Sequence, residues 1–296
     1  MRHIAIATDT YYPNLTDSDR LLIEPLFRRG VHVTPAYWND PTVNWSAYDG
    51  VLIRSVWDYH LHPDAFLGWI ERLQAQNVRL WNPAPVVRWN MQKRYLKVLA
   101  ERGIPTIPTV WLDQGASANL PEILATRAWD QTVIKPEVSA GAHQTWRTTR
   151  ADAERDQAHL EADLASHALM IQPYVEEIAL GEWSIFFFQG IFSHSVLKPA
   201  VLADDGSPLH WSQRAQAQMP SPSFISQAAH ILHVAAQQIG VRVPDILIAR
   251  VDGVDQLGQL TLMELELIEP DLYFAFDPQA APERLANAIQ WQLDLS

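Results

Sequence analysis

Four residues in the last fifty of this 296-residue chain combine acid and base at spacings that suggest chemistry. Arg250 and Asp252 stand in Ala249-Arg250-Val251-Asp252-Gly253, and Glu264 and Glu266 in Met263-Glu264-Leu265-Glu266-Leu267. Successive side chains of a strand alternate faces, so Glu264 and Glu266 share one side, with Met263, Leu265 and Leu267 on the other. Carboxylates on a strand with an apolar reverse face are costly unless something neutralises them. Asp252 on the preceding strand offers a third acid, and an all-oxygen set suits a hard cation, Mg²⁺ or Mn²⁺. Arg250 shares the face of Asp252. Read alone, the pattern also describes a solvent-facing strand with Arg250 as an ion-pair partner, and the hairpin register is not fixed by the sequence.

A second feature lies upstream. Val133-Ile134-Lys135-Pro136 ends an apolar strand in a lysine, and Val138-Ser139-Ala140-Gly141-Ala142 follows. Small residues there allow backbone N–H groups to approach phosphate oxygens closely. The Walker pattern is missing, and so is a dinucleotide fingerprint. A lysine that merely ends a strand is the plain alternative. A third feature is Arg54-Ser55-Val56-Trp57-Asp58-Tyr59, after the apolar run 51–53. Ligands of open α/β sheets bind at the carboxyl ends of the strands. Arg54 could there clamp a carboxylate and Asp58 meet an ammonium. The rival is a surface pair between Arg54 and Asp58, worth about 0–1 kcal/mol.

Composition narrows the classes. The 22 basic and 34 acidic residues leave a net charge of −12, which argues against reading a phosphate backbone. The chain has no cysteine, excluding disulfides, thiolate-bound metal and thiol nucleophiles. No apolar run approaches a membrane span or a secretory signal, so a cytoplasmic location is the expectation. No partner nucleic acid or membrane is expected, and the oligomer is left open, a homodimer included.

The elements that must position these residues read as α/β at first and α+β later. Apolar runs at 4–7, 31–36, 51–53 and 78–81 alternate with helical patterns at 18–29 and 63–76, which predicts a small parallel layer. Pro25 inside the first pattern predicts a kink. A proline-rich joint at 82–85 precedes a helix over 90–102 with Asn90 as its cap. Strands are expected at 110–112, 132–135, 145–148 and 169–174, with a polar helix at 151–165. Gln189-Gly190 reads as a turn between strands 182–188 and 191–197. After a long loop at 203–223 come helix 224–239, strands 246–251 and 260–267, and helix 282–293.

The order of these pieces resembles the ATP-grasp superfamily. The motifs are Asn90-Met91-Gln92-Lys93, Gly103-Ile104-Pro105-Thr106-Ile107-Pro108-Thr109, Val133-Ile134-Lys135-Pro136, Ile171-Gln172-Pro173-Tyr174-Val175, Gly181-Glu182, Ala249-Arg250-Val251-Asp252 and Glu264-Leu265-Glu266. The chain is most similar to the glutathione-synthetase-like and RimK-like carboxylate–amine ligases, and within them to the D-cycloserine synthetase group. That group's features include the Arg54 segment, Lys198-Pro199, and the run from Glu264 through Glu269-Pro270. The resemblance covers nearly the whole chain.

It implies an ATP-grasp fold with an N-terminal parallel α/β domain at 1–85, a central ATP-grasp subdomain at 86–175, and a C-terminal subdomain with the metal site at 176–296. It implies ATP as co-substrate and two Mg²⁺ ions held by Asp252, Glu264 and Glu266. Lys93 and Lys135 would hold phosphates, with Ser139 and Gly141 in the small-residue loop. Gln172, Tyr174 and the Val175 backbone would border the adenine, and Glu182 would accept from the ribose. Arg250 and Lys198 would act on the phosphoryl group in flight, and Arg54, Ser55 and Asp58 would bind a small amino-acid-like substrate. Many relatives carry Asn where this chain has Glu266, a change of one charge unit. The implied reaction is amide formation through an acyl phosphate, intramolecular or intermolecular. A phosphotransferase that stops earlier, or a nucleotide-binding scaffold, are the alternatives. Loops 138–143 and 203–223 are expected lids that keep water from the intermediate.

Overall fold

The computed structural model describes residues 1–141, 143–199 and 215–295. The β-branched runs near the amino end form β1 (Arg2–Thr8), β2 (Val31–Tyr37), β3 (Gly50–Ile53) and β4 (Leu80–Trp81). They pair in parallel in the order β2-β1-β3-β4. A parallel sheet must be covered on both faces, and strand alternation divides β1 accordingly. Ile4 and Ile6 pack with Leu22, Leu26 and Leu285, while Ala5 and Ala7 pack with Val51, Phe66 and Trp69.

The helix expected over 18–29 is two pieces, α1 (Asp17–Arg20) and α2 (Ile23–Arg28). Pro25 then falls in the first turn of α2, where no backbone N–H is required, so it kinks nothing. After α3 (Pro63–Ala75), the proline-rich joint turns out to open a helix, α4 (Ala84–Asn90), with Pro85 in its first turn. The helix expected from residue 90 begins only at α5 (Tyr95–Glu101). Asn90 therefore ends one helix and does not cap another.

A second sheet holds β5 (Val110–Leu112), β6 (Gln131–Pro136), β7 (Trp146–Thr149) and β8 (Leu169–Pro173) in the antiparallel order β5-β8-β6-β7. Helices α6 (Leu120–Arg127) and α7 (Ala153–Ser166) supply Leu120, Leu124, Leu160 and Leu164 against Ile134 and Ile171. Helix α6 escaped the sequence reading because two leucines in eight residues give a weak period. Its start is nevertheless marked by Asn119, whose side chain accepts from the Glu122 N–H.

The third sheet is antiparallel and runs β11-β10-β9-β12-β13. Its strands are β9 (Glu182–Phe188), β10 (Ile191–Lys198), β11 (Gln216–Ala217), β12 (Ile248–Gln256) and β13 (Gln259–Glu266). Gln189 and Gly190 join β9 to β10 with φ of +52° and +80°, the left-handed pair a tight hairpin requires. Helix α8 (Pro222–Ile239) packs Ile231 and Leu232 against Leu262 and Leu265. Helix α9 (Ala281–Asp294) returns to the first sheet, where Leu285 and Ile289 join Ile4 and Ile6. The expected loop 203–223 lies outside the described residues as far as residue 214, as does Ala142 of loop 138–143.

Candidate active site

The acidic strand carries an irregularity that alternation alone could not reveal. Asp252 pairs with Glu264 and Arg250 with Glu266, but Gly253 pairs with Leu262, so Met263 is an extra residue bulging from β13. The bulge reverses the faces. Leu260 and Leu262 join Leu265 and Leu267 in one core, while Met263 packs with Ile107, Val175 and Val254 on the other side. Met263 was expected beside the leucines, and the extra residue is why it is not. A Cβ on Gly253 would lie 2.6 Å from the Thr261 carbonyl oxygen, so the close approach at the bulge requires glycine.

The free edge of β13 is closed by side chains. The Asn90 amide donates to the Leu265 carbonyl and accepts from the Leu267 N–H, both at 2.7 Å. The Leu265 N–H donates to the Tyr95 hydroxyl at 3.1 Å, and Asn82 donates to the Leu267 and Ile248 carbonyls at 2.7 Å. An edge strand with these groups unpaired would slip or aggregate. Helices α4 and α5 thus fix the register of the strand that bears Glu264 and Glu266.

Ligand oxygens of Asp252, Glu264 and Glu266 lie within 4.8 Å of one another. Hard oxygen donors at that spacing fit Mg²⁺, and each is held from behind. The Ser184 hydroxyl donates to Asp252, and Arg250 Nε donates to both Asp252 oxygens at 3.0 Å. Arg250 also contacts Glu266 and donates to the Asp271 carbonyl at 3.2 Å. Lys93 Nζ lies 3.0 Å from Glu264 and donates to the Ser139 carbonyl at 2.7 Å. Lys198 Nζ lies 2.7 Å from Glu182 and 3.9 Å from Asp252.

Electrostatics separate the two glutamates. Burial acts to raise the Glu264 pKa, but the charges of Lys93 and Lys135 hold it well below the usual carboxylate range. Burial raises Glu266 to about 8 against the pull of Arg250, and the charges of Glu264 and Asp252 add to the rise. Burial lowers the Lys135 ammonium, against the pull of Glu264. Lys198 rises despite burial because Glu182 and Asp252 favour its charge.

The residues expected to border the nucleotide lie on the second and third sheets and in the segment between them. Gln172 is buried on β8 and donates to the Thr109 hydroxyl at 2.9 Å. Val175 packs with Ile107, and the Arg147 guanidinium lies 4.6 Å from the centroid of the Tyr174 ring. Glu182 is tied to Lys198. Ser139 is buried, and Gly141, at φ +59°, sits where an added Cβ would meet nothing within 4 Å. His143, next in the same loop, lies 4.9 Å from His60 between ring centroids.

The expected substrate clamp is not at the surface. Arg54 is 1% exposed, and its Nε donates to Asp19 at 2.7 Å while Nη2 donates to the Pro270 carbonyl. Its Nη1 is sealed without a partner. Ser55 is fully buried against the Thr8 hydroxyl, 3.0 Å away. Arg54 pairs with Asp19 of α1 instead of with Asp58. Asp58 alone stays half-buried, accepting from Trp38 Nε1 at 2.7 Å. The residue missed was Glu269, three positions beyond Glu266 at the end of the acidic run. Burial and Glu264 push its carboxyl up to about 7 despite Lys93. Its place in that run, directly before Pro270, was the available signal. His194, unassigned from sequence, is a packing residue stacked on Phe186 with centroids 4.3 Å apart.

A parallel sheet followed by two antiparallel sheets that meet over lysines and a carboxylate cluster defines an ATP-grasp ligase. The fold is shared with D-alanine–D-alanine ligase from Bacillus anthracis complexed with ATP, at TM-score 0.70 and 13% identity over 100% of this chain and 98% of that one. A family model for the N-terminal domain of D-cycloserine synthetase DcsG matches residues 4–82. The cycloserine biosynthesis protein DcsG of Streptomyces lavendulae is 32% identical over 302 residues, spanning 98% of each chain. The crystal structure of D-cycloserine synthetase DcsG matches at TM-score 0.89 and 31% identity, over 98% of this chain and 99% of that one. The chain belongs to the D-cycloserine synthetase family, and it is an ATP-dependent carbon–nitrogen ligase. No helix among the described residues is long and apolar enough to cross a membrane.

Proposed function

We propose that the protein activates the carboxylate of a small amino-acid-like substrate as an acyl phosphate, then joins it to a nitrogen nucleophile, within the same molecule or from a second one. The observation that carries this reading is the triad of carboxylates within 4.8 Å, framed by Arg250, Lys93 and Lys198. Asp252, Glu264 and Glu266 would hold two Mg²⁺ ions, or Mn²⁺, which when bound neutralise phosphate charge. Lys93 and Lys135 bind the triphosphate, with Ser139 and Gly141 beneath it. Gln172, Tyr174 and Val175 border the adenine, and Glu182 accepts from the ribose.

The carboxylate oxygen attacks the γ-phosphorus in line, and ADP leaves. Arg250 and Lys198 offset charge that grows on the transferring phosphoryl oxygens. The nitrogen then adds to the acyl carbon, loses its proton and expels inorganic phosphate. No covalent enzyme intermediate is needed, in keeping with a chain without cysteine. Loop 138–143 excludes water, because an acyl phosphate hydrolyses readily. The three-part division at residues 85 and 175, a cytoplasmic location and the small-molecule partner belong to the same proposal.

The test is ADP release over D- and L-amino acids and O-substituted serines, with and without amine donors, followed by mass spectrometry of the product. A new carbon–nitrogen bond in proportion to ADP is expected. ADP release with only a phosphorylated product would replace the ligase reading with phosphotransfer.

A further inference from the structure

Glu269 is 9% exposed, yet among the described residues its carboxylate makes no hydrogen bond and no ion pair. A buried, unpartnered carboxylate is expensive, and proteins rarely keep one without a use. Its main chain is well anchored: the carbonyl accepts from Trp57 Nε1 at 3.1 Å, and Trp57 in turn meets the Tyr12 ring edge-on at 5.1 Å. The backbone at Glu269 is therefore held against the segment that follows the parallel strand β3. Its charge is felt by Tyr59 and Glu266, and it feels Lys93, Glu264, Arg54 and Arg250.

Among the described residues, each cation in reach is either committed or, as with Arg54 Nη1, closed off from solvent. Lys93 serves Glu264 and the Ser139 carbonyl, Arg54 serves Asp19 and the Pro270 carbonyl, and Arg250 serves Asp252 and Glu266. Among the described residues, no guanidinium there is both open to solvent and without an acid partner. We propose that Glu269 binds the primary ammonium of the substrate, so that an amino acid lies with its nitrogen on Glu269 and its carboxylate toward the phosphoryl site beside the carboxylate cluster. This rests on the ligase reading and deepens it. It assigns the two ends of the substrate in the opposite sense to a clamp by Arg54. An ammonium would satisfy the orphan carboxylate with charge-assisted hydrogen bonds, whereas a des-amino acid would leave it desolvated and unpaired.

The experiment needs no turnover. Racemic O-methylserine and its des-amino counterpart, 3-methoxypropanoate, are titrated calorimetrically into the full-length protein and into Glu269→Gln. Each titration is run with and without AMPPNP and Mg²⁺. The wild type is expected to prefer the amino acid by at least about 10-fold, and Glu269→Gln to erase the preference with AMPPNP affinity unchanged within about 2-fold. Equal binding of both probes by the wild type, or binding of neither, overturns the proposal without any variant. Persistent discrimination by Glu269→Gln, or an equal loss of AMPPNP binding, overturns it as well. Failure of the wild type to bind AMPPNP instead counts against the ligase reading, since discrimination is also read without nucleotide.

Discussion

The ammonium of Lys93 lies 3.0 Å from Oε1 of Glu264, joining the segment between α4 and α5 to the bulged strand β13. Charge from Lys93 and Lys135 keeps Glu264 ionised although burial opposes it. Glu264→Gln retains the shape and removes the anion. It should lower Mg²⁺-dependent ADP release by at least about 100-fold, the upper range for disturbing a metal site. The thermal midpoint should barely move. Near-normal ADP release would remove Glu264 from the metal site.

Lys135 stands one residue before the end of β6, beside the small-residue loop, half-buried, with burial lowering its pKa. Lys135→Ala should weaken ATP by about 10–100-fold, the range for a lost charge-assisted hydrogen bond. Adenosine, which has no phosphate, should bind as before. Calorimetry with both ligands decides the matter: equal losses would move Lys135 out of the phosphate site.

Arg54 and Asp19 form a pair 1–2% exposed. Removing one partner strands a buried charge, so Arg54→Ala should cost about 3–5 kcal/mol in urea unfolding. Unchanged stability with a raised substrate KM would restore Arg54 to the substrate pocket.

Gly253 faces the bulge, with Thr261 O where its Cβ would be. Gly253→Ala should cost about 1–3 kcal/mol by overpacking and should lower ADP release together with stability, because the bulge aims Asp252 and Glu264. Full activity in the variant would show that the register there is not needed.

In the neutral ring, His194 Nε2 donates to the Leu272 carbonyl at 2.8 Å and Nδ1 accepts from the Ser193 hydroxyl at 2.9 Å. Burial lowers its pKa from 6.5 to about 4, outweighing the carbonyl that favours the cation. The neutral ring is the native form, so below about pH 6.5 the unfolded chain takes up the proton first. Stability from this group is therefore whole above that pH, falls by about 3 kcal/mol as pH drops, and levels off near pH 4. Urea midpoints at pH 7.5 and 5.0 should differ more in the wild type than in His194→Gln. Identical pH responses would exclude the ring as their source.

The alternation of Glu264 and Glu266, the lysine near the end of β6 and the parallel layer before them were all legible in the sequence, because each rests on local periodicity and residue chemistry. So was the Gln189-Gly190 turn. The facing of Met263, the two helices hidden in one pattern around Pro25, and the start of α4 at a proline joint were not. Each depends on one residue of register, or on where a helix happens to begin, and neither leaves a periodic trace. Arg54 and Glu269 show the same division at the site. Both are charged residues beside strand ends, alike on paper as ligand groups. Only the packed structure decided that Asp19, brought in by α1, takes the arginine's charge, while among the described residues none bonds the glutamate's carboxylate. Partners are chosen by three-dimensional proximity between segments distant in the chain, and that proximity is a property of packing, which spacing along a sequence does not encode.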